Sequence, residues 1–178
     1  MTTTRRSLAA PALALLAGLP LFASRAGAAT PAALTEIERL AIKQACADVS
    51  TRYSYYLDTA DYKAMPGAFT PDGVWEVLGN RHEGRRAIGD YWRTRTAGWK
   101  PGESWRHVIT NQLIEPDGRD RAHGTAYFTL YRFDVSNNRE VPGLAPALLT
   151  RSTDEYARTA QGWLIASRQI EMVAAAAA

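Results

Sequence analysis

Residues 104–135 read SWRHVITNQLIEPDGRDRAHGTAYFTLYRFDV, two runs of alternating side chains around the turn signal Pro116-Asp117-Gly118. Period-two patterning on both sides of such a turn predicts a long hairpin, with strands over 104–115 and 122–135. Alternation puts Trp105, His107, Ile109, Asn111 and Leu113 on one face of the first strand, and Arg106, Val108, Thr110, Gln112 and Ile114 on the other. Downstream the same period returns. Leu148 to Arg158 and Trp163 to Met172, joined around Gln161-Gly162, predict a second hairpin. A polar loop carrying Pro and Gly, residues 136–146, separates the two.

Upstream of residue 104 the period is helical. Thr30-Pro31 and then Thr35-x-x-Glu38 signal a helix start, the second as a capping box. Ile37, Ala41, Ala45, Val49 and Tyr53 recur every four residues and predict an inward stripe to about residue 57. Asp58-Thr59-Ala60-Asp61 interrupts it, a shorter helix to about Phe69 follows, and Thr70-Pro71-Asp72-Gly73 reads as a turn before a short strand from Val74 to Leu78. Ile88, Tyr91, Trp92 and Arg95 give 85–96 the spacing of a third helix. Three helices with one strand among them, followed by four long antiparallel strands, predict an α+β fold. Its sheet, mixed or antiparallel, would curve strongly under the helices into a cone, and the inside of a cone is a natural pocket.

The chain has 178 residues, 46% hydrophobic and 22% charged, a globular make-up that excludes a disordered or collagen-like protein. Residues 1–28 resemble an export signal: Arg5-Arg6, an apolar run from Leu8 to Phe22, and Ala26-Gly27-Ala28 as a small-residue cleavage site. The paired arginines fit the twin-arginine form, so a periplasmic or secreted destination is expected. The run is short and broken by Pro11, Gly18 and Pro20, a poor membrane span. Residues 1–28 hold Arg5, Arg6 and Arg25 and no acid, which is the whole of the formal charge of +3. The remaining chain is neutral, and neither a nucleic acid nor a membrane surface is an expected partner. The expected organisation is one domain over 29–173 and an alanine tail over 174–178, frayed or a helical stub. Cys46 is the only cysteine, so no internal disulfide can form, and it is read as core filling.

His107 sits among apolar neighbours on its predicted face, where a histidine can be a satisfied core residue or a working base. Asp58, at the end of the inward helical stripe, must find a partner if buried. It has two readings. As a cap it would close the following turn in the pattern Asp58-x-x-Asp61. As the partner of His107 it would hold one ring nitrogen and leave the other free as a general base. Tyr53, Tyr55 and Tyr56, within about a turn and a half before Asp58, are candidates for the same pocket: Tyr55 shares the face of Asp58 at i, i+3, and Tyr53 lies on the inward stripe itself. A tyrosine hydroxyl there could donate to a carbonyl or a leaving oxygen. His82 and His123 share no metal-ligand spacing with His107, so no metal and no cofactor is expected.

The set Tyr53-x4-Asp58-x2-Asp61, Phe69-Thr70-Pro71-Asp72-Gly73, Gly84, Arg106-His107, Asn111, Tyr156 and Gly162-Trp163 resembles the SnoaL-like branch of the nuclear-transport-factor-2-like superfamily. The likeness runs from about Leu34 to Met172. It implies a cone-shaped α+β fold, usually dimeric or trimeric. It also implies kinship with cofactor-free lyases and isomerases such as scytalone dehydratase, bile-acid dehydratase and hexachlorocyclohexane dehydrochlorinase. Asp58 and His107 fall on the proton-abstracting pair of those enzymes. Tyr53 falls on the bile-acid enzyme's pocket tyrosine, and Trp75 on an aromatic pocket position of the dehydrochlorinase. The spacing from His107 through Gly124 carries Phe128 and Leu130 into the cavity. Arg132 stands where scytalone dehydratase has a second histidine, and a guanidinium there would hold an anionic oxygen rather than donate a proton. Leu130 stands where the bile-acid enzyme uses a carboxylate.

The resulting expectation is an exported lyase, a dehydratase or another elimination or retro-aldol enzyme, acting on a small hydrophobic ring-containing molecule. His107, Asp58 and Tyr53 would be catalytic, and Arg132, Trp75, Trp105, Phe128, Leu130, Asn111 and Tyr56 would hold the substrate. Three alternatives stay open: a binding protein of the same fold without turnover, a double-bond isomerase resembling ketosteroid isomerase, and a protein-interaction module using the open sheet face.

Overall fold

A computed structural model describes residues 33–136 and 144–176. The expected export signal, most of the 136–146 loop and the last two alanines lie outside the described residues. Two α-helices and one 3-10 turn form where three helices were predicted: α1 (Glu36–Asp58), the turn Met65–Ala68, and α2 (Gly84–Thr96). The 3-10 turn takes the place of the predicted second helix. Pro66 sits in its first turn and Gly67 follows, a composition that does not extend a helix.

α1 starts as its sequence dictates. The Thr35 hydroxyl accepts the Glu38 N–H, and the Glu38 carboxylate accepts the Thr35 N–H at 2.8 Å. The buried stripe is Ile42, Cys46, Val49, Tyr53 and Leu57, whereas Ile37 is 79% exposed. The predicted stripe of strict fourth residues drifts, because each step of four overshoots a full turn by about 40°. Over its first half it therefore leaves the core face, and Cys46 lies on the stripe rather than beside it.

Six strands make one mixed sheet, β1 (Phe69–Val77), β2 (Asn80–Glu83), β3 (Glu103–Pro116), β4 (Arg121–Asp134), β5 (Pro146–Thr159) and β6 (Gly162–Ala175), in the order β2-β1-β6-β5-β4-β3. All neighbours are antiparallel except β1 and β6. The predicted turn at Thr70–Gly73 is an excursion inside β1: Phe69 pairs with Ile165 and Val74 with Ser167, so extra residues bulge out between them. β2 forms because Leu78 and Gly79 both take positive φ, 49° and 83°, and fold a tight hairpin onto β1. The alanine tail is partly strand, with Ala174 and Ala175 paired to Leu149 and Leu148.

β3 carries a bulge that resets its alternation. Thr110 pairs with Tyr127 but Leu113 with Thr125, and Asn111 supplies the turn of the backbone with φ 51°. Beyond it Ile114 is buried and Leu113 exposed, the reverse of the predicted faces. Gly124 lies opposite, where a Cβ would meet the Leu113 carbonyl oxygen at 2.7 Å, so only glycine lets β4 approach the bulge.

Candidate active site

The concave face of the sheet and the two helices enclose a cavity of about 130 Å³, on the scale of apolar cavities that hold a single benzene ring. α1 contributes Tyr53 and Leu57, β1 Trp75 and Val77, and α2 Tyr91, Trp92 and Arg95. The long strands add Trp105, His107, Phe128, Leu130, Leu148, Thr150 and Ile170. Aromatic rings run in a chain around it. Trp75 and Trp92 are 5.3 Å apart, Trp92 meets Trp105 edge-on at 5.8 Å, and Trp105 meets His107 edge-on at 6.0 Å.

α1 ends at the point where Asp58 reaches β3. The His107 Nδ1–H donates to Asp58 Oδ1 at 2.6 Å, and the His107 backbone N–H lies 3.1 and 3.0 Å from the two carboxylate oxygens. A carboxylate can only accept, which puts the ring proton of the neutral imidazole on Nδ1 and leaves Nε2 with a bare lone pair and no partner among the described residues. Both side chains are nearly buried, at 11% and 13% exposure. Capping of the following turn falls to Asp61, whose Oδ1 accepts the Ala64 N–H at 2.9 Å. The Asp58 carbonyl at the helix end accepts from the Arg106 guanidinium at 3.0 Å.

Beneath the cavity wall lies a second polar cluster. Arg168 is fully buried and forms a two-pronged pair with Asp154, Nε to Oδ1 and Nη2 to Oδ2, both at 2.8 Å. Ser50, Ser152 and Tyr156 complete the network around them. The guanidinium carbon sits 4.6 Å from the Tyr53 ring centre and 5.1 Å from that of Phe128. Burial raises the Tyr53 phenol above its ordinary value, and the Arg168 charge opposes that rise. Tyr53 is therefore a neutral O–H at any ordinary pH, a donor rather than a base. The indole N–H groups of Trp92 and Trp105 are buried without a hydrogen-bond partner among the described residues, a state that costs about 1–3 kcal/mol each.

Of the residues predicted for the site, Tyr53, His107, Trp75, Trp105, Phe128 and Leu130 line the cavity, and Asp58 stands directly behind His107. Three do not. Asn111 is exposed on the β3 bulge, beyond the point where alternation breaks. Arg132, the cross-strand neighbour of Trp105, lies past the rim and is held by Glu103. Tyr56 falls off the Tyr53–Leu57 line of α1, against Tyr55. The prediction missed the wall supplied by α2, where Tyr91 and Trp92 at helical spacing with Ile88 were the available signal. It also missed the Arg168 network, whose sign was Ser152-x-Asp154-x-Tyr156 at strand period.

The SnoaL-like domain profile matches residues 38–169. The chain belongs to that family. Solved structures agree on the architecture of this SnoaL-like protein. A Catenulispora acidiphila protein is 25% identical with TM-score 0.64, over 75% of this chain and 92% of that one. An NTF2-like protein with a cystatin-like fold from Novosphingobium aromaticivorans is 21% identical with TM-score 0.63, over 78% and 86%. A candidate scytalone dehydratase from the same organism is 14% identical with TM-score 0.66, over 80% and 91%. No curated protein matches the chain at a significant level.

Proposed function

We propose that this SnoaL-like protein is a cofactor-independent lyase that eliminates a β-leaving group from a small hydrophobic ring-containing substrate. The observation that carries the proposal is the 2.6 Å contact between Asp58 Oδ1 and His107 Nδ1 on the wall of an apolar cavity. His107 Nε2 takes the proton from a carbon beside a carbonyl, and that C–H electron pair becomes the new C=C bond as the β-hydroxyl departs. The departing oxygen takes a proton from the imidazolium. Asp58 stabilises the imidazolium while it exists, and the Tyr53 O–H donates to the developing enolate oxygen. A placed base of this kind gives about 10²–10⁴-fold, with orientation in the apolar cavity supplying more. Arg132 has no part in this scheme.

The test is a screen of cyclic β-hydroxy ketones for water loss, followed by the rise of enone absorbance. The wild-type protein should turn one over and His107→Gln should be slower by at least about 10²-fold with its affinity for the compound retained. Turnover that survives His107→Gln overturns the proposal. A second reading, binding without turnover, is favoured by Leu130, which faces His107 across β3 and β4 where a second proton-transfer group could sit. Binding of ring compounds with no chemistry in either protein would establish it. An isomerase would instead move a double bond without releasing water.

The proposal extends to an exported homodimer or homotrimer. Its supports are the signal-like residues 1–28 and the apolar side chains of Val108, Leu113, Met172 and Val173, exposed from the sheet. Light scattering of the purified protein and fractionation of cells carrying an Arg5→Lys, Arg6→Lys variant test the two halves.

A further inference from the structure

Among the described residues, Arg95 is the only permanently charged side chain on the cavity wall. It follows Tyr91 and Trp92 by four and three residues, so it continues their stripe along α2 to the point where the wall meets solvent. Its neighbour Arg93 pairs with Asp90, whereas Arg95 has no ion pair and no hydrogen bond among the described residues. A cation in the last turn is favoured by the helix dipole, and Arg93 already serves that end. The dipole does not account for an unpaired guanidinium bordering a cavity otherwise lined by aromatic and aliphatic groups.

We infer that the cavity takes an aromatic molecule bearing a carboxylate, its ring among Trp75, Trp92 and Trp105 and its carboxylate on Arg95. The inference rests on the reading of this cavity as the substrate site. A planar carboxylate matches the guanidinium fork with two parallel hydrogen bonds, which a neutral ligand cannot supply. The volume admits one ring, and the acid reaches the mouth. Arg95 thus fills the anion-holding role for which Arg132 is wrongly placed.

Isothermal titration with benzoate and with benzamide, its uncharged counterpart, tests this. The wild-type protein should bind the benzoate about five- to tenfold more tightly than the amide. Arg95→Gln should lower benzoate affinity by the same factor and leave the amide unchanged, while Arg93→Gln alters neither. Equal affinity for the two probes in the wild type, an equal loss of both in Arg95→Gln, or no binding of either overturns the inference. His107→Gln should keep the benzoate preference. A preference that stands while the His107 variant still turns over substrate upholds the ligand class and removes the catalytic reading alone.

Discussion

Asp58 grips His107 twice, through the ring Nδ1–H at 2.6 Å and through the backbone N–H of the same residue at 3.1 and 3.0 Å. The carboxylate thereby fixes the imidazole's tautomer and the position of the strand that carries it. Asp58→Asn keeps an acceptor for the backbone N–H but loses the charge, so it should leave stability within about 1 kcal/mol. Asp58→Ala loses both grips and should cost about 1–3 kcal/mol in urea denaturation. Ring ¹⁵N spectra should show the Nδ1-protonated form in the wild type and a mixed population in Asp58→Ala. An Nε2-protonated ring in the wild type would rule out His107 as the base.

Arg168 and Asp154 are cross-strand neighbours on β6 and β5, both almost wholly buried, and among the described residues each is the other's only charged partner. Removing either leaves an uncompensated buried charge, so Arg168→Met or Asp154→Leu should each cost about 3–5 kcal/mol. The double replacement should cost less than the two singles added, because no lone charge remains. Tyr53 and Phe128 lose the cation against their rings in the Arg168 variant, so the cavity wall should loosen with it. Single variants within 1 kcal/mol of the wild type would show that water reaches the pair.

The Thr35–Glu38 box and the four long strands were legible because each rests on a local rule, a capping motif and a period, whereas the Asp58–His107 meeting, between residues far apart in sequence, was legible only as one of two readings of Asp58 and as what the family resemblance implies. What was not legible depended on contacts remote in sequence. The β3 bulge at Asn111 answers the tight approach of β4 at Gly124, and a period count run through it assigns Leu113 and Ile114 to the wrong faces. Arg132 kept the right parity, but the cone ends before it and Glu103 captures it. The α2 wall was hidden for a different reason. Its aromatic spacing reads equally as a core stripe, and only the gap between helix and sheet makes Trp92 and Arg95 part of a cavity.

Glu38 is held down to a pKa of about 2, first by its hydrogen bond to Arg119 and then by the Thr35 backbone and hydroxyl. A carboxylate with a lowered folded value stabilises the fold above its ordinary 4.5, and that contribution is lost as pH falls through about 2. Glu38→Gln should therefore be less stable than the wild type at pH 6, and the gap between their denaturation midpoints should close between pH 4.5 and 2. Salt should narrow the gap as well, since the pair is exposed. Equal stability of the two proteins at pH 6 would mean that only the capping bond, which an amide can also make, matters.

Cys46 is fully buried on the inward stripe of α1, and burial pushes its thiol up to about 12, with the Asp154 charge adding to the rise. The thiolate is the reactive form, and at pH 8 a group titrating four units higher is ionised in only about one molecule in 10⁴. Access is closed as well. Ellman's reagent should therefore label the native protein only as fast as α1 opens, and labelling should become complete in denaturant. Cys46→Ser puts a hydroxyl in the same place, where it must find an acceptor or cost about 1–3 kcal/mol. Cys46→Ala only trims the core, so it should be the milder change. Rapid stoichiometric labelling at pH 8 without denaturant would show that α1 leaves the sheet readily, and the closed cavity wall that Tyr53 and Leu57 provide would then be a transient arrangement.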